Sequence, residues 1–100
     1  NAKAYKINLN GKIKKSGNLQ VTFQYTAGLH RLDISKVELL ENGKVISIDE
    51  HAGITGGKSS NNTYALKLEK FDTQSKYAIR YTANSDGGTD SKGKITVIQN

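Results

Sequence analysis

Few residues of this chain could do chemistry, and their spacing limits what each could do. His30 and His51 are the only imidazoles, and Cys is absent. Disulfides, thiolate metal sites and cysteine nucleophiles are therefore excluded. The two His have no His-x-x-x-His spacing, so a structural zinc site lacks a ligand set. Ser and Asp are frequent enough to write a Ser-His-Asp triad on paper, but no Gly-x-Ser-x-Gly elbow raises one Ser to a nucleophile. Gly53-Ile54-Thr55-Gly56-Gly57-Lys58-Ser59 is one residue short of phosphate-loop spacing. No helix is expected after it, so the backbone donors of a helix start are missing too. Asp49-Glu50-His51 and Asp86-Gly87-Gly88-Thr89-Asp90 are the acid-rich spots. Calcium would need about six to eight oxygens there. Asp in a loop more often bonds its own backbone, and that reading is preferred. No metal and no cofactor is assigned. Paired carboxylates for glycoside hydrolysis need a cleft, which a small two-layer domain seldom has. No catalytic residue is assigned, and the fragment is read as not an enzyme.

The elements that must position these residues read as strands. Leu19, Val21, Phe23 and Tyr25 alternate with Gln20, Thr22 and Gln24. Period two with polar partners marks a half-buried strand. Tyr64-Leu66-Leu68 and Tyr77-Ile79-Tyr81 repeat the pattern, Tyr5-Ile7-Leu9 makes a shorter first strand, and Ile95-Val97 the last. Ile34 to Leu40 is apolar but irregular, which predicts a bulge or a change of face. Asn42-Gly43 between two apolar runs predicts a type I′ hairpin. Asn10-Gly11, Ser16-Gly17-Asn18 and Ser85 to Gly88 are further breaks, and 53–62 reads as the longest loop. No apolar stripe persists at helical spacing. About seven strands, with turn signals every 8–12 residues or so, predict an all-β antiparallel sandwich of immunoglobulin or fibronectin type III kind. A small jelly roll is the competing architecture. Phe71 to Tyr77 followed by alternation is similar to the fibronectin-type approach to the penultimate strand. That likeness gives Tyr77 the tyrosine-corner role, although the usual Pro and a core Trp are missing.

The formal charge of +6 lies wholly in residues 1–32, which hold Lys3, Lys6, Lys12, Lys14, Lys15 and Arg31 and no acid. Nucleic-acid sites favour Arg forks and stacked aromatics. Lys dominates here, and Phe23 and Tyr25 are expected to face inward, so solvated lysines guarding an edge strand are the preferred reading and nucleic acid is not a partner. No run of about 18 apolar residues exists, so no membrane insertion is expected. One hundred residues hold one core. Met is absent and the chain starts Asn1-Ala2-Lys3. Residues 1–2 are read as an expression-tag remnant, and 3–100 as a single sandwich domain cut from a longer protein.

Four segments form a linked signature: Asp49 to Gly56, Asn62 to Leu66, Tyr77 to Ile79, and Gly87 to Gly93. Together they resemble the small β-sandwich module C-terminal to the catalytic barrel in bacterial family-twenty glycoside hydrolases, the β-N-acetylhexosaminidases. The resemblance covers about residues 29–97 and implies an accessory domain of an exported enzyme, periplasmic or at the cell surface. It implies the catalytic domain of the same polypeptide as partner, and glycan as a second. A carbohydrate-binding module or a cell-surface interaction domain are the alternatives. The family's catalytic Asp-Glu pair lies in the barrel, so Asp49-Glu50 does not take over that role. Gly53, Gly56, Gly87 and Gly93 suit positions needing positive φ or close backbone approach. Asp49, His51, Thr55 and Asp90 are the candidate loop or docking patch, with mutual loop bonding preferred over ligand binding.

Overall fold

The alternating segments become antiparallel strands. The computed structural model describes residues 2–27, 32–55, 61–85 and 92–99. In chain order the strands are β1 (Ala2–Asn8), β2 (Gly17–Ala27), β3 (Leu32–Glu41), β4 (Lys44–Asp49), β5 (Gly53–Thr55), β6 (Asn62–Leu68), β7 (Tyr77–Ser85) and β8 (Lys92–Gln99). Among the described residues there is no helix, and so none long and apolar enough to cross a membrane. One sheet runs β1-β7-β3-β4, and the other runs β6-β2-β8. β5 pairs with residues 32–34 of β3 and β4 with residues 37–41, so both occupy one edge. The two sheets thus hold seven strand positions, and the protein is an all-β sandwich.

Leu19, Val21 and Phe23 of β2 and Tyr64, Leu66 and Leu68 of β6 face Ile34, Val37 and Leu39 of β3 and Tyr77 and Ile79 of β7. Each such large side chain contributes roughly 1.5–3 kcal/mol by leaving water. Leu9 and Ile13 lie between β1 and β2 and are also buried. The irregularity of β3 is a register shift between Ile34 and Lys36 against β7, and another between Leu39 and Leu40 against β4. Asn42 and Gly43 close the β3–β4 hairpin with φ of 50° and 84°, the two positive values a type I′ turn requires. Tyr77 is buried, and its hydroxyl accepts the Asp72 N–H at 2.9 Å and donates to Glu41 Oε2 at 3.1 Å. This is the corner expected of it.

Two features depart from the expectation. Gly53–Thr55 is a strand rather than the start of a loop, because it supplies the ladder partner of residues 32–34. The terminal strands are also exchanged. β2–β6 and β3–β7 match the central pairs of an immunoglobulin sandwich, but that fold sets its first strand beside its second and its last beside the penultimate. Here β1 pairs with β7, and β8 with β2. Tyr5 stacks on Tyr81 at 5.3 Å, while Ile95 and Val97 lie opposite Phe23 and Val21. Ile95 and Val97 of β8 thus extend the core, whereas Tyr5 of β1 stays about half exposed against Tyr81.

Candidate functional site

The polar residues Asp49 and Thr55 of the sequence signature lie apart. Asp49 ends β4 opposite Val37, whereas Thr55 ends β5 opposite Leu32 at the far end of β3. Asp90 lies outside the described residues, as do His30, Gly56, Gly87 and the Asp86–Asp90 acid spot. Asp49 and His51 come together. His51 donates its backbone N–H to Asp49 Oδ1 at 3.1 Å, a short Asx turn. Its Nδ1 lies 2.7 Å from the same oxygen. Asp49 Oδ2 accepts the backbone N–H of Ala65 at 2.9 Å. The imidazole lies flat on the Tyr64 ring, with centroids 4.0 Å apart and planes 17° apart.

Ser47 completes this arrangement, and the sequence reading passed over it. β4 and β6 are neighbouring edges of opposite sheets. Ser47 Oγ accepts the Lys67 N–H at 2.9 Å, as Asp49 accepts that of Ala65. Alternate side chains of β4 thus satisfy alternate outward N–H groups of β6. An edge that would otherwise offer free donors to another strand is closed by side chains. Ser47 pairs with core residue Leu39, so it faces the interior side despite being polar, which the parity of β4 alone did not signal.

Three donors meet one carboxylate. Burial raises the Asp49 pKa, but the N–H groups of Ala65 and His51, the imidazole bond and its charge together lower it more. Its carboxyl is held below the usual carboxylate range. Tyr64 is pushed up to about 12, first by burial and then by the negative charge of Asp49. Its hydroxyl donates to the carbonyl of Ile34 at 2.9 Å, the residue where β3 shifts register. Gly53 faces this contact, and a Cβ there would stand 2.6 Å from the Tyr64 hydroxyl. Only a residue without a side chain fits.

The Asp49–His51 geometry matches the carboxylate–imidazole half of a proton relay, but the remaining partners differ. The carboxylate is committed to two backbone N–H groups, and among the described residues no hydroxyl bonds the imidazole. Nor do three His, Asp or Glu side chains gather as a metal would need, among the described residues. The cluster acts as a clasp between the sheets. No protein-family model and no curated protein matches the chain.

Proposed function

We propose that this chain is a non-catalytic accessory domain of an exported bacterial glycoside hydrolase, of the β-N-acetylhexosaminidase kind, which packs on or spaces the catalytic domain of the same polypeptide. The observation that carries the proposal is the composition of edge strand β4. Val45, Ile46 and Ile48 are exposed by 45%, 41% and 46%, while the polar Ser47 and Asp49 turn toward β6. Large apolar side chains clustered on an edge suit a neighbouring protein surface. The commitment of Asp49 to the clasp supports a structural reading of the signature residues.

The test is the full polypeptide carrying Val45→Ser and Ile48→Ser. The proposal expects its thermal midpoint to fall clearly further than that of the isolated 100-residue chain, which two surface changes of about 0.5 kcal/mol each move by roughly 4–8 °C at most. An unchanged midpoint in the full polypeptide, or a coding sequence with no catalytic domain beside this segment, would refute it.

A further inference from the structure

The two sides of the sandwich are finished differently. On one side β4 and β6 meet, and side chains of β4 close the gap. On the other side no Cα of β1 comes within 8 Å of β8. The larger sheet is four strand positions wide and the smaller one three, so β1 overhangs β8. Lys3, Tyr5 and Ile7 of β1 lie opposite Ala83, Tyr81 and Ile79 of β7, and cross-strand partners share a face. Ala83 and Ile79 belong to the core. That face of β1 therefore points to the interior side, yet Tyr5 is 45% exposed and Ile7 only half-buried.

The smaller sheet stops one strand short of covering them. Among the described residues β8 pairs with β2 alone, so the backbone groups along its other edge meet no strand. Ile95 and Val97 face the core from β8 and are only partly buried. Tyr5 and Ile7 above, Ile95 and Val97 beside, and the free edge of β8 thus bound a slot. The crossing from β1 to β2 closes one end of it with the buried side chains of Leu9 and Ile13. Gln99 fastens that crossing: its Oε1 accepts the Lys14 N–H at 3.2 Å, and its Nε2 donates to the Lys15 carbonyl. Walls fixed in advance lower the ordering cost of binding.

We propose that this slot receives one extended segment of a partner protein, which adds to β8 as a further strand of the smaller sheet and alternates apolar with acidic side chains. Main-chain bonds along β8 hold such a strand, and its alternate side chains set the choice of partner. The inward ones rest on Tyr5, Ile7, Ile95 and Val97. The outward ones fall in the row of Lys94, which is exposed opposite Gln24 on the outer face. β1 and β8 carry Lys3, Lys6, Lys92 and Lys94 and no acid. An acid opposite Lys94 gains a cross-strand ion pair, and a lysine there is repelled. A second copy of this chain does not fit. Pairing β8 with its counterpart about a two-fold axis would drive the two overhanging β1 strands into one another, and the lysines guard the edge against such self-pairing. The inference does not depend on the accessory-domain reading, and its test uses the isolated chain.

The test is a titration of the ¹⁵N-labelled chain with an end-blocked peptide of about seven residues, alternating Glu and Val, read by amide shifts and hydrogen exchange. A peptide alternating Lys and Val, and one of the Glu–Val composition with its Val residues grouped together, are the comparison probes. The alternating Glu–Val peptide is expected to bind saturably with roughly millimolar affinity. It should shift Tyr5, Ile95 and Val97 and slow exchange severalfold at alternate β8 amides. Tyr5→Ser and Lys94→Glu are each expected to weaken binding about fivefold. Lys94→Glu changes an exposed side chain and leaves the fold intact, so it decides the matter even where Tyr5→Ser unfolds the chain. The inference is overturned by no saturation at about 10 mM of the Glu–Val peptide, by equal binding of either comparison peptide, by equal binding to the Lys94→Glu variant, or by shifts centred on Val45 and Ile48 of β4. It is overturned as well by a concentration-dependent dimer of the free chain that protects the β8 amides, since a second copy would then fill the slot.

Discussion

Tyr64→Phe removes one oxygen from the most constrained point of the sandwich. The hydroxyl donates to the Ile34 carbonyl at 2.9 Å, and both residues are fully buried. Ile34 is also the residue after which β3 shifts register against β7. Deleting the donor strands a buried acceptor, which costs about 1–3 kcal/mol. Taking about 2 kcal/mol, the thermal midpoint of a domain this size falls by roughly 8–16 °C. Urea unfolding should show a lower midpoint with an unchanged slope. A second signature lies at alkaline pH. The folded pKa of Tyr64 is raised to about 12, against about 10 unfolded. Its neutral form therefore contributes stability that is complete below pH 10 or so and is lost as pH rises toward about 12. The gap between wild type and Tyr64→Phe should narrow across that window. Gly53→Ala offers a cross-check, because its Cβ would meet the hydroxyl at 2.6 Å. It should cost less in the Phe background than in wild type. A Tyr64→Phe variant within about 0.5 kcal/mol of wild type, or a gap constant from pH 9 to 11.5, would refute the reasoning.

Asp49→Ala removes the acceptor of three donors and should cost about 2–3 kcal/mol in urea unfolding. Because the folded pKa of Asp49 lies below its unfolded value, its contribution is complete above the unfolded carboxylate range and lost as pH falls through the folded pKa. The gap to the variant should therefore close on acidification. Gly43→Ala should cost about 1 kcal/mol, since φ is 84° there. Arg80→Leu should lower the urea midpoint by leaving Glu38 buried without its partner, and Glu38→Leu added to it should restore part of the loss.

The strands themselves were legible because one face of each had to be apolar. Leu19-Val21-Phe23 and Tyr64-Leu66-Leu68 announce themselves by parity, and Asn42-Gly43 by the φ values only those residues accept cheaply. β4 shows where parity misleads. Its run Val45-Ile46-Ser47-Ile48-Asp49 invites the Ile residues inward, yet Ser47 and Asp49 take the interior side. That side holds not core but the outward N–H groups of β6, which need acceptors, and no single-strand pattern reports a need arising on another strand. The exchange of β1 and β8 was equally hidden, because both strands offer a half-apolar face and the choice of edge is made by contacts such as Tyr5 on Tyr81. At the candidate site, Asp49 and His51 were legible as polar loop neighbours. Their stack on Tyr64 was not, since it joins residues from two sheets.

Native-state hydrogen exchange at the Ala65 and Lys67 amides tests most directly whether the signature residues hold the sandwich shut. Both amides lie on the outer edge of β6, where unaided donors would exchange quickly. If Asp49 and Ser47 cap them, they exchange as slowly as the β2–β6 ladder amides, and Asp49→Ala releases Ala65 far more than Lys67. Rapid exchange of both in the wild-type chain, or no change at Ala65 on losing the carboxylate, would show that this side of the molecule is open and that Asp49 is there for something else.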